Sequence, residues 1–345
     1  MSITTNFTRL TGKLGALALA GAVSFGLGSA AQAETLIKFA TALSADSGLM
    51  KVAYGPWIDE LNERAKGEFR VQAFPPPFAN AVNVWNRVVD GVADMGIVVL
   101  PPTGLPFTGS HVTTVPGTGD NVVAGSVALW KLYEKGLLKG EYDDVKLLNL
   151  VTVPANVFIS KTEVDSMDDV KGMKVRANDK NSAAALTNLG ASPIAIPFSE
   201  AYQALSKGVV QGGVANGVTI VGFKLGEVTG YQVDNVFFGM VPAAFVMNKD
   251  FYDGLSDEAK KILESVSGLE GSIDNGMRQR AYDESNRAYL EADKNYHFVT
   301  LSDVEKAKWD AALAKVADQW AAETPNGAEI LRVYTEEYKK AAAQY

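Results

Sequence analysis

Arg176 stands in residues 171–179, KGMKVRAND, where a short strand would carry one guanidinium toward its exit. Side chains alternate faces along a strand, so Met173, Val175 and Ala177 share one face while Lys174, Arg176 and Asn178 share the other. In open α/β sheets ligands gather outside the carboxyl ends of the strands. A guanidinium there offers a planar fork that grips a carboxylate with two charge-assisted bonds. The same residue types also fit a structural ion pair with Asp169 or Asp179, and this stretch alone leaves both readings open.

The parts an enzyme would need are sparse. The only histidines are His111 and His297, in segments read as different lobes, and there is no cysteine, so neither a His-rich zinc site nor a thiol nucleophile can be assembled. No GxSxG elbow, no GxxxxGK[ST] phosphate loop and no strand-linked GxGxxG occurs; Gly117 and Gly119 read as loop punctuation. Asp168 and Asp169 fall in the first turn of a short helix, where acidic groups complement the helix dipole. Trp57, Trp85, Trp130, Trp309 and Trp320 all occupy amphipathic helix positions and read as packing.

Residues 1–33 read as a secretory signal: Arg9 and Lys13 make a basic start, 14–27 is apolar, and Ala31-Gln32-Ala33 is an AxA site, so the mature chain is expected to begin at Glu34 in the periplasm. No later run is apolar enough for stable membrane insertion. Without cysteine neither a lipoprotein anchor nor a disulfide can form. The chain of 345 residues carries a net charge of −8, and loss of the signal's two basic residues makes it more acidic still. That balance disfavours nucleic acid and anionic membranes as partners. An anionic ligand would need a local cation to draw it in, which raises the interest of Arg176.

The rest of the chain alternates strand and helix. Strands are expected at 36–42, 69–74 and 94–100, with helices from Ser47 and over 82–92 between them; the third is continuously apolar, as a buried parallel strand should be. A Pro- and Gly-rich loop fills 101–119, a helix 121–138, and two strands, 145–151 and 155–160, flank Pro154 at a first crossover. The second unit repeats the pattern, with a helix at 166–171, the Arg176 strand, helices at 181–189 and 198–207, and strands at 192–196 and 209–214. Strands at 236–238 and 243–247 offer a return crossover. Residues 257–293 carry one apolar stripe; as a single helix they would reach about 55 Å and brace both lobes, with a bend at Gly268, Gly271 or Gly276, or a broken pair, as the alternative. Ser302 and Glu305 form a capping box opening a helix to Ala322, and 329–343 reads as a last amphipathic helix. The division expected is a first lobe of 34–153 plus 241–280 and a second of 154–240 plus 281–345.

Residues 164–216 include VDSMDDVKGMKVRAND and GASPIAIPFSEAYQALSKGVVQGGVANG, an order of elements that resembles the solute-binding proteins of TRAP transporters, the DctP family. The resemblance implies an α/β, bilobal fold of the periplasmic-binding-protein type that closes about hinge strands, with no cofactor and no metal. It implies that Arg176, at the family's MKVR arginine, binds a ligand carboxylate, and that Phe198, from Phe-Ser-Glu, lines the pocket. The family's asparagine after Gly-Val-Val-x-Gly falls on Ala215 in a gapless match, with Asn216 one residue later, and Asn156 stands where sialic-acid-binding members carry a second arginine. Pro77, Phe78 and Ala79 replace the usual Gln-Leu-Gly, and the third strand ends in Val98, Val99 and Leu100.

These departures point to one anion clamp with more apolar walls. The ligand expected is a monocarboxylate with an apolar or aromatic body; a sulfonate, or a C4-dicarboxylate held at its second end by Asn80 and Asn156, fits the same clamp. For Phe78, core packing and a place in the pocket weigh equally. The partners implied are a small organic acid and the small and large membrane subunits of a TRAP permease, served by a monomer. The rival readings are a binding protein of an ABC or tripartite tricarboxylate importer, a sensor's ligand-binding partner, and an exported enzyme.

Overall fold

The computed structural model describes residues 34–345, and the expected signal and its cleavage site lie outside the described residues. In chain order the strands are β1 (Thr35–Ala40), β2 (Phe69–Phe74), β3 (Met95–Val99), β4 (Val145–Val153), β5 (Val157–Ser160), β6 (Lys174–Ala177), β7 (Ser192–Ala195), β8 (Gly212–Ala215), β9 (Tyr231–Val233), β10 (Val241–Asn248) and β11 (His297–Val299). They form two sheets, β2-β1-β3-β10-β4 and β11-β9-β5-β8-β6-β7, with helices on both faces of each, so the fold is bilobal and α/β.

Register decides what faces what. Ala40 pairs with Phe74 and Gly96, Ala243 with Val99, and Val241 with Val153, so the carboxyl ends of β1 to β4 share the edge where β10 begins. At that edge the chain leaves the first sheet through Pro154–Asn156 and returns into β10. In the second sheet Val157 pairs with Ala215, Phe158 with Val233, and Arg176 with Gly213. The carboxyl ends of β6, β7, β8 and β9 therefore face the same two crossovers. Both sheets point their ligand-gathering edges at one another across the connecting strands.

Apolar periodicity explains the layers. The first sheet is covered on one face by helices Val84–Val89 and Val122–Glu134, with Trp85, Val98, Leu129 and Leu150 buried among them, and on the other by Gly55–Arg64 and Asp257–Glu264, where Phe39, Tyr54, Trp57 and Phe245 cluster. In the second sheet Val175, Ala177 and Val214 pack on helices Lys180–Asn188 and Asp303–Glu323, around the fully buried Trp309; Ile159 and Ala215 pack on the other face with Ala201 and Leu205 of helix Phe198–Ser206.

One alternative is decided and two features differ from expectation. The apolar stripe of 257–293 is the broken pair, helices Asp257–Glu264 and Gly268–Glu291, because Gly268 sits at φ +71°, a conformation that a right-handed helix cannot continue through. The second piece still braces the molecule: the Leu150 amide of β4 donates to Ser272, while Tyr282 and Leu290 reach the cores of the first and second sheets. Residues 236–238 form no strand; Val236 and Phe238 are core residues in the return crossover, and the paired segment is β9. The final helix, Gly327–Ala342, grouped above with the second lobe, inserts Ile330, Val333 and Tyr334 into the first sheet's core beside Val122–Glu134, so the chain crosses between sheets once more near Trp320.

Candidate functional site

β6 positions Arg176. Its neighbours Val175 and Ala177 are drawn into the apolar layer on one side, so the register sends Arg176 to the other side, near the carboxyl edge. There its Nε donates to the Ile196 carbonyl oxygen at 2.7 Å, and Nη1 donates to the Val214 carbonyl oxygen at 3.3 Å and to the Asn178 side-chain oxygen. The guanidinium carbon lies 3.7 Å from the centre of the Phe198 ring. Phe198 opens the helix that follows β7, and its ring stacks on Phe223 at 5.9 Å and 28°. Phe223 is 45 % exposed.

Arg176 is only 3 % exposed, yet among the described residues no carboxylate lies within ion-pair distance of it. Asp169 accepts from Ser166 in the capping box of its own short helix, and Asp179 accepts from the Ser182 amide as the cap of the next. Burial pulls the Arg176 pKa down to about 10, and Asp179 opposes this only through space. Burial likewise raises the Asp179 carboxyl above the usual range. The ion-pair reading of Arg176 is thus replaced by a buried cation steadied by carbonyl oxygens and a ring. Those partners fix its orientation without neutralising its charge, and its Nη2 donates to no described group. Such a cation is costly to bury and is relieved by an anion.

Asn216 follows β8 directly. It is buried and caps helix Gly217–Gly222 through its Oδ1, which accepts from the Thr219 amide at 3.0 Å and hydroxyl at 2.8 Å. Its Nδ2 donates to Asn156 Oδ1 at 3.4 Å. Asn156 in turn ties the two crossovers together: its amide donates to the Gly239 carbonyl at 2.8 Å, and its own carbonyl accepts from Phe238 at 2.8 Å. Arg176, Phe198, Asn216 and Asn156 therefore come together on the second sheet's edge.

Phe78 and Asn80 lie on the facing edge, in the loop after β2. Asn80 is exposed, and its Oδ1 accepts from the amides of Val82 and Asn83 at 3.0 Å each, which shapes the turn into helix Val84–Val89. Phe78 is half-buried, packs 5.2 Å from Phe74, and has the Arg87 guanidinium 5.0 Å over its ring. Neither contacts Arg176. Sequence reasoning missed Arg87, Phe223 and Asn178; for Arg87 a signal existed, because it is the only Lys or Arg between Arg70 and Lys131.

A separate cavity of about 210 Å³ lies between the crossover and helix Gly268–Glu291, lined by Asp120, Gln232, Asp234, Asp283, Arg287 and apolar neighbours. Arg287 forks onto Asp234 at 2.7 and 3.0 Å, and burial pushes the Asp283 carboxyl up to about 6. Its lining is net acidic and excludes Arg176, so it is not the anion site. Among the described residues no group of three or more His, Cys, Asp or Glu could hold a metal, and no helix is long and apolar enough to cross a membrane.

Two facing α/β sheets joined by crossover strands, with a buried unpaired cation at one of the facing edges, define a two-lobed solute receptor. Residues 39–324 match the DctP family, described as bacterial extracellular solute-binding protein, family 7. The chain belongs to this family of extracytoplasmic TRAP solute-binding proteins. It is 29 % identical over 233 residues to the C4-dicarboxylate-binding periplasmic protein DctP of Rhodobacter capsulatus, covering 67 % of this chain and 65 % of that one. A marine metagenome TRAP solute-binding protein specific for aromatic acid ligands, solved with metahydroxyphenylacetate, superposes with a TM-score of 0.83 at 25 % identity, covering 89 % of this chain and 99 % of that one. A TRAP solute-binding protein of Rhodoferax ferrireducens, solved with copurified benzoate, gives 0.83 at 24 % identity over 90 % and 99 %.

Proposed function

We propose that this protein is the periplasmic receptor of a TRAP transporter for an organic acid with an apolar or aromatic body, gripped at its carboxylate by Arg176. The observation that carries this reading is a guanidinium buried at the cleft edge, stacked on Phe198 and paired with no carboxylate. Phe198 and Phe223 supply aromatic surface beside the cation. The likeness to a receptor specific for aromatic acids supports the ligand class.

The carboxylate would accept from the free Nη2 side of Arg176, with Asn216 and Asn156 as neighbouring donors. Ligand bound to the second sheet's edge would then draw the first edge onto it. It drives closure only by its extra affinity for the closed form, so contacts from the first lobe set the driving force. The closed receptor would pass its cargo to the small and large permease subunits. Residues 1–33 would direct export and be removed before Glu34.

A thermal-shift screen over mono- and dicarboxylic acids, sugar acids and sulfonates tests this, because a ligand that binds only the folded state raises the melting temperature by mass action. Acids with an aromatic body are expected to give larger shifts than sugar acids and small aliphatic acids. Stabilisation by polyhydroxylated acids alone would overturn the ligand class.

A further inference from the structure

The first lobe's edge carries a second cation resembling the first. Arg87 lies on helix Val84–Val89, with its guanidinium carbon 5.0 Å from the centre of the Phe78 ring. It makes no side-chain hydrogen bond or ion pair with any described residue, and its Nε is buried without a partner. The helix's last turn is anchored at the far edge of the sheet, where the carbonyls of Val88 and Val89 accept from Asn248 at the end of β10. Its first turn consequently lies at the crossover edge. Helical side chains lean toward the helix N-terminus, so Arg87 reaches toward the cleft and onto Phe78, just past the carboxyl end of β2. A buried donor without an acceptor costs free energy; the Phe78 ring offsets only part of it, and among the described residues no acceptor meets the Nε.

We infer that Arg87, steadied by Phe78, is the first lobe's contact for a second anionic group on the ligand, and so sets which organic acids the receptor prefers. The inference rests on the reading of Arg176 as the carboxylate clamp. With one cation on each facing edge, a flat acid bearing a carboxylate at both ends would bridge the lobes. Such a bridge favours the closed form for the reason any closure requires, a contact that only the closed state completes. A C4-dicarboxylate whose second end relied on Asn80 would meet only a neutral Nδ2 donor there, the residue's oxygen being held in the turn. Arg87 supplies the positive charge that Asn80 lacks.

Calorimetry with two probes, benzoate and terephthalate, on the mature wild-type protein and on Arg87→Gln tests this, with Arg87→Lys as a second variant should the first fold poorly by circular dichroism. Wild type is expected to bind terephthalate about tenfold or more tighter than benzoate. Arg87→Gln should remove that preference while leaving benzoate affinity within about threefold, and Arg87→Lys, which keeps charge but not the fork, should retain part of it. Equal losses for both probes would overturn the inference and make Arg87 a packing residue. A preference untouched by both variants, or its absence in wild type, would overturn it as well while leaving the Arg176 clamp standing. Binding of neither probe by wild type would overturn the aromatic ligand class and this inference together.

Discussion

The Arg176 guanidinium lies 3.7 Å from the centre of the Phe198 ring, while its Nε donates to the carbonyl of Ile196, two residues before that ring in the chain. One short loop therefore supplies both the face on which the cation rests and the acceptor that orients it. Arg176→Ala is expected to weaken organic-acid binding by roughly 2–4 kcal/mol, the scale for losing a buried charge-assisted pair. Arg176→Lys should recover little of it, because an ammonium cannot fork. The ligand-free melting temperature should change by only a few degrees, since the variant also removes an unpaired buried charge. Calorimetry beside thermal melts checks this; unchanged affinity in the alanine variant would remove the clamp.

Phe198 contributes through its face. Replacing it with leucine keeps apolar volume and removes the quadrupole that holds the guanidinium. The expected loss for aromatic acids is about 0.5–2 kcal/mol, with a smaller loss for an aliphatic acid of similar size, because only the aromatic ligand also loses a ring neighbour. Competitive titration of benzoate against hexanoate reads the difference. Equal losses would confine Phe198 to orienting Arg176.

Asn216 serves two demands that separate variants can split. Its Oδ1 caps helix Gly217–Gly222, and its Nδ2 reaches Asn156. Asn216→Ala should cost about 1 kcal/mol of stability through the lost cap. Asn216→Asp keeps a capping oxygen but sets a carboxylate two residues after Val214, whose carbonyl accepts from Arg176. That variant should stay as stable as wild type and bind organic anions at least about tenfold more weakly, since like charge excludes the ligand. An Asp variant with full affinity would place Asn216 outside the site.

The parts of the site legible in the sequence were those set by local rules. KVRA shows a two-residue alternation ending at a polar exit, and Phe198 follows Pro197 where a helix must start, so both appear where expected. Tertiary choices were not legible. Residues 236–238 are apolar enough for a strand, but β5 pairs with β9, and the crossover uses Val236 and Phe238 as core anchors instead. Helix Gly217–Gly222 begins and ends on glycine, which hides it from propensity, and the Asn216 cap is its clearest trace. Arg87 reads as a polar position on an amphipathic helix; its isolation between Arg70 and Lys131 is a trace in the sequence, but the placement of Phe78 beneath its guanidinium is a tertiary fact.

Asp283 offers a pH test apart from the ligand. It faces the cavity shared by Asp120, Asp234 and Arg287, where Arg287 is engaged by Asp234 and Glu291, and burial raises its carboxyl to about 6 from 3.8. A raised carboxyl pKa means that the folded state holds a proton the unfolded state has released between pH ~4 and ~6. Stability contributed here falls as pH rises through that window and stays low above it. Asp283→Asn should be more stable than wild type by roughly 1–3 kcal/mol at neutral pH, the upper figure being the full shift and the lower allowing for solvent reaching the cavity. The advantage should shrink on acidification to a few tenths of a kcal/mol near pH ~4 and vanish only below about pH 3, where the carboxyl is protonated in both the folded and the unfolded wild-type chain. Denaturant melts of both proteins at intervals from pH 4 to 8 read the difference directly. A variant less stable than wild type at neutral pH would show that the charge is held favourably, with Arg287 outweighing desolvation.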